Sequence, residues 1–104
     1  MHSKLRNKIL NSLEEQLKAQ GADIAVFSDQ LKDYMNMWDV KEALFDDIKV
    51  RGVVYNDVSS VGVEMLKNNP SVRELNATIK QMQSLLKDLG LTVKNVIASG
   101  DDVL

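Results

Sequence analysis

Apolar side chains recur along this 104-residue chain in three stretches, each with the alternating three- and four-residue intervals of a helix seam. The most regular is 69–92, where Val72, Leu75, Ile79, Met82, Leu86 and Leu89 form a line suited to packing lengthwise on another helix. Its ends are marked by local chemistry. Asn69 is a good N-cap, and Pro70 suits the first turn, where its missing N–H is not needed. Ser71 and Glu74, spaced as a capping box, offer a slightly later start. At the far end Gly90 can take the left-handed C′ position, with Leu91 folding back on Leu86.

The other two stretches lie upstream. Leu5, Ile9, Leu10, Leu13 and Leu17 make a stripe over 3–20, and Gly21 is placed to end it. Ile24, Phe27, Leu31, Tyr34, Trp38, Phe45 and Ile48 continue the spacing from an Asp23 cap to Gly52, with one slot, Lys41, occupied by a charge. At ~1.5 Å per residue this second helix is about 42 Å long; Ser28 would cap a shorter version. Met35, Met37 and Leu44 flank its stripe, as Leu85 flanks that of the third helix, so both have more apolar surface than one seam needs. The first helix can cover part of it, and the remainder predicts contacts between chains through Met35, Met37, Trp38, Leu44 and Leu85.

Between the long helices, 52–68 breaks the helical period. Residues 53–55 and 61–65 are β-prone around the turn signals Asn56–Asp57 and Ser59–Ser60, so a short β-hairpin or an ordered loop is expected. A hairpin alone is marginal in water, so it would have to pack on the helices or pair with another copy. The tail 93–104 has room for a helical turn over 93–98. The resulting fold class is all-α: a long antiparallel helical hairpin with an N-terminal helix and a short β-hairpin or loop between the long helices, assembling into an oligomer. Three parts follow: a basic amphipathic helix over 1–22, a core and oligomerisation unit over 23–92, and the tail over 93–104.

Charge adds a pattern that periodicity does not. Thirteen Lys and Arg against fifteen Asp and Glu leave a net charge of −2, so any contact with a polyanion must be local. Two local clusters exist. Lys4, Arg6 and Lys8 crowd the first ten residues without an acid among them. Arg73, Lys80 and Lys87 lie one heptad apart, a cationic line roughly 20 Å long facing away from the seam. A solvated face, ion pairs with a neighbouring helix and contact with nucleic-acid phosphates are the three readings of that line. A membrane-surface role for the first helix fits poorly, since Glu14 and Glu15 interrupt its basic face and no aromatic anchors the apolar one.

The inventory argues against enzymatic chemistry. There is no cysteine, and His2 is the single histidine, so a thiolate nucleophile or a histidine-based metal site cannot be assembled. The five glycines are scattered rather than gathered into a phosphate-cradling loop. Asp39, Glu42 and Asp46 share a helical face that can be drawn around a divalent cation, but a solvated face is the better reading. Tyr34 and Trp38, one turn apart, have the spacing to stack bases, yet on the apolar stripe they read as core. No apolar run approaches the roughly 20 residues of a membrane span, and the polar start does not look like a signal peptide, so a cytoplasmic protein is expected.

Tyr34 and Trp38 in a long second helix, the Gly52 break, a short irregular segment, then Asn69–Pro70 and a helix closing in Leu89, Gly90, Leu91 and Thr92 together resemble the small terminase subunit of tailed double-stranded-DNA phages. The resemblance covers about 23–92 and leaves the N-terminal helix outside. One departure is Val93, where members of this family often have proline. The resemblance implies a non-enzymatic, cofactor-free packaging component. Such subunits form a ring, bind viral double-stranded DNA at the packaging site and deliver it to the large terminase subunit, which holds the ATPase and nuclease. On that view Lys4, Arg6, Lys8, Arg73, Lys80 and Lys87 are the DNA-binding candidates. The rival reading is a helical adaptor that binds only protein.

Overall fold

The computed structural model describes residues 3–21 and 25–91. The Asp23 cap, Ile24, His2, and the tail with its helical turn lie outside the described residues. Three helices and one hairpin follow in order: α1 Ser3–Ala19, α2 Ala25–Arg51, β1 Val54–Val58, β2 Glu64–Asn68 and α3 Pro70–Asp88. The fold is mostly helical, with a two-stranded antiparallel sheet between the long helices.

Both ends of α3 and the far end of α2 are closed by local chemistry. Asn69 caps α3, its side-chain oxygen accepting from the Ser71 N–H at 2.9 Å, and Pro70 occupies the first turn. At the other end Gly90 has φ +73°; its N–H reaches the Lys87 carbonyl and that of Leu91 reaches Leu86, at 3.0 and 2.7 Å. These two bonds make a Schellman stop. Gly52 ends α2 in the same left-handed region, φ +84°, with its N–H on the Ile48 carbonyl. A side chain there would be strained and would also meet the Val54 carbonyl at 3.3 Å. Since α2 is already helical at Ala25, Ser28 is an interior residue and the shorter helix is excluded.

α2 and α3 run antiparallel, with Asp47 beside Ser71 at one end and Asp33 and Asp88 lining one groove at the other. α1 lies against the first half of α2. The core gathers Leu13 and Leu17 from α1, Leu31, Tyr34, Met35 and Trp38 from α2, and Met82, Leu89 and Leu91 from α3 and its stop. Each such side chain contributes on the order of 1.5–3 kcal/mol by leaving water. Tyr34 and Trp38 are thus packing residues, and the Tyr34 hydroxyl titrates above its ordinary value because of its burial. The charge at Lys41 also has a place: its Nζ lies 5.6 Å from the Trp38 ring centroid, a cation–π contact at the edge of the core.

The hairpin forms, with strands shifted from the expected 53–55 and 61–65. Val54 pairs with Asn68 and Val58 with Glu64, and the chain reverses over 59–63, where Ser59 Oγ accepts from the Val63 N–H and Gly62 has φ +84°. Of the two turn signals, Ser59–Ser60 is used and Asn56–Asp57 is not. Asp57 stays in the strand because its carboxylate bonds the Val58 N–H at 2.8 Å and Lys67 Nζ at 2.9 Å. Among the described residues no helix is long and apolar enough to cross a membrane.

Candidate nucleic-acid interface

The seam of α3 turns Leu75 and Met82 inward, and the same periodicity turns Arg73, Lys80 and Lys87 out. All three are exposed, and none forms an ion pair with a described carboxylate. A line of exposed cations that no described carboxylate bridges suits a polyanion's regularly spaced phosphates, although Glu74 and Asp88 lie beside its two ends. Of the alternatives for this line, pairing with a neighbouring helix of the same chain does not occur among the described residues.

The N-terminal cluster is split by the fold. Lys4 and Lys8, one turn apart, are exposed. Arg6 points the other way and grips Asp39 of α2 with both arms, Nε to Oδ1 at 2.7 Å and Nη2 to Oδ2 at 3.1 Å. This fork-to-carboxylate bond docks the start of α1 and raises the guanidinium pKa further. It also removes Asp39 from the carboxylate trio drawn around a cation.

The apolar candidates divide as well. Met35 and Trp38 are each 2% exposed, enclosed within the chain by α1 and α3. Met37, Leu44 and Leu85 remain half-buried, and Met37 and Leu85 line one shallow groove between α2 and α3 with Asp33, Asn36, Gln81, Ser84 and Asp88. More apolar surface lies where α1 does not reach: Val40 and Phe45 on α2, and Val54, Val58 and Leu66 on the hairpin. The two-residue alternation of Val54, Asn56 and Val58 was the available signal for the last group.

Asp47 organises the base of the hairpin, a role no sequence pattern marked. Its Oδ1 accepts from Arg51 Nε at 2.9 Å, and its Oδ2 accepts from Arg51 Nη2, Asn69 Nδ2 and Ser71 Oγ at 2.9, 3.1 and 2.7 Å. Asn69 completes the knot, donating to the Gly52 carbonyl and accepting from Arg51. The Arg51 bond, followed by those from Ser71 and Asn69, holds the Asp47 carboxyl far below the usual carboxylate range. The Ser71 hydroxyl is engaged here, so the capping-box start is not the one used. Arg51 also lies over the Tyr55 ring, 4.8 Å from its centroid, joining one face of the hairpin to the helix end.

The arrangement is that of a helical scaffold bearing cationic and apolar surfaces, and it gathers no His, Cys, Asp and Glu cluster fit for a metal among the described residues. A family model described as the phage terminase small subunit matches residues 4–95, and the chain belongs to that family. The match begins well ahead of Asp23, so α1 lies inside the family's extent rather than outside it. No curated protein and no solved structure matches the chain significantly. Membership in this family implies a role in phage DNA packaging.

Proposed function

We propose that this chain is a non-enzymatic packaging component of the host cytoplasm. It assembles into a ring, binds double-stranded viral DNA at the packaging site and presents it to the large terminase subunit, the ATPase and nuclease of the pair. The observation that carries this reading is the family match over 4–95. The unpaired line of Arg73, Lys80 and Lys87 supports the DNA contact, with Lys4 and Lys8 as the second surface and Arg6 as the residue that docks their helix. Half-buried Met37, Leu44 and Leu85 support contacts between copies; Met35 and Trp38 act from beneath by shaping the α2 surface. Residues 1–22, 23–92 and 93–104 then serve as basic helix, assembly core and tail.

Gel retardation of a duplex over a salt titration tests the DNA contact. The unaltered protein should retard DNA at low salt and lose affinity steeply as salt rises. Reversing Arg73, Lys80 and Lys87 to Glu together should weaken binding and lower the slope of log affinity against log salt by about 3, one per phosphate contact. Unchanged binding would remove α3 as the contact surface and leave Lys4 and Lys8. No retardation at any salt would favour the adaptor that binds only protein.

A further inference from the structure

The two faces of the hairpin differ in a way that the isolated chain does not explain. Tyr55, Asp57, Met65 and Lys67 project to one side, where the Asp57–Lys67 bridge and the Arg51–Tyr55 contact engage all but Met65. Val54, Asn56, Val58, Glu64, Leu66 and Asn68 project to the other, and all six are exposed. Leu66 sits diagonally between Val54 and Val58, so these three make a continuous apolar patch at 71, 47 and 58% exposure. No described element of the chain covers it.

The edges are open too. The bonds from Asn69 N–H to Val53 and from Ser59 N–H to Val63 bracket the ladder and place its hydrogen-bonded pairs at odd-numbered residues of both strands. Backbone groups of the even-numbered residues therefore point outward along both edges. On β1 the Val58 N–H is capped by Asp57, leaving those of Val54 and Asn56. On β2 the outward backbone groups are those of Glu64, Leu66 and Asn68; no proline interrupts them, and the strand's one lysine, Lys67, is bridged to Asp57.

We propose that these edges join copies head to tail, β2 of one chain pairing with β1 of the next and burying Val54, Val58 and Leu66 between neighbours. This rests on the ring reading above and deepens it. The occupant is a second copy because the edges complement each other in charge: β1 carries Asp57 and β2 carries Lys67 on the same face. Joining β2 to β1 extends the alternation of acid and base, whereas β1 to β1 or β2 to β2 sets like charges opposite each other. Complementary unlike edges give a heterologous contact, which forms a ring where the rotation between neighbours closes, and closure leaves no strand edge exposed.

Native mass in solution tests this at low micromolar concentration, with far-UV circular dichroism as the check on folding. Unaltered chain should form a defined assembly. Leu66→Lys should lower its mass toward a single chain without loss of helix, because Leu66 touches no core. Asp57→Lys and Lys67→Asp should each do the same, and an equimolar mixture of those two should regain a larger assembly, since each then meets an oppositely charged edge. An assembly whose mass Leu66→Lys leaves unchanged would overturn the hairpin contact while the ring stands. Single variants that dissociate but fail to recombine would overturn the head-to-tail pairing, and a monomeric unaltered chain would overturn the ring and the hairpin contact together.

Discussion

At the level of Trp38, three helices meet around a dry core; farther along α2, at Asp47, two helix ends and a hairpin meet around a carboxylate. The first meeting place is held by area removed from water, which is non-directional and tolerates many arrangements of similar volume. The second is held by hydrogen bonds from Arg51, Asn69 and Ser71, each with a fixed direction. The contrast teaches where precision is placed. The bundle supplies stability, and the Asp47 knot sets the angle at which the hairpin leaves it. Beyond the polar end the hairpin leaves Val54, Val58 and Leu66 exposed.

The largest test of this contrast is Trp38→Ala, which should lower unfolding free energy by about 3–5 kcal/mol in a urea titration. A loss below about 1 kcal/mol would mean that the three-helix junction is not the main source of stability. Asn69→Ala comes next. It removes a helix cap that is 2% exposed and leaves the Gly52 carbonyl short of a donor, at an expected cost of about 2 kcal/mol. Stability unchanged by Asn69→Ala would show that the knot is incidental.

The smallest expected effect is in acid. The Asp47 carboxyl is held below its ordinary 3.8, so the unfolded chain binds a proton before the native chain does. Its contribution is complete above about pH 4 and is lost as pH falls through lower values. Asp57, lowered by Lys67 and then by the Val58 N–H, adds in the same sense. Asp47→Asn should therefore flatten the decline of the thermal midpoint below pH 4 without abolishing it; an unchanged decline would remove Asp47 as its source.

Much of the fold was legible because its signals are local. The cap at Asn69, the proline after it, and the stop at Gly90 and Leu91 act within one turn of the helix ends they define, so the limits of α3 could be read directly. The resemblance built on those same residues also led to the family. The candidate interface was legible in part. The outward line of Arg73, Lys80 and Lys87 follows from helical periodicity, but nothing near Arg6 in the chain says that Asp39 will claim it. Met35 and Met37 look alike as flanking residues, and only the position of α1 buries the first and leaves the second half-exposed.

By itself, then, the sequence determined the three helices, the Asn69 and Gly90 ends of α3 and the Gly52 end of α2, the mostly helical class with a β-prone break, and the absence of cysteine chemistry. Each depends on spacing, on backbone preference or on inventory, quantities set within a few residues. Only the tertiary structure decided that Asp47 ties together α2, α3 and the hairpin, that Arg6 holds α1 to α2, and that one face of the hairpin stays bare. Those outcomes join groups far apart in sequence, as Asp47 and Ser71 are. A directional hydrogen bond between distant residues has no periodicity to announce it until packing brings donor and acceptor within reach.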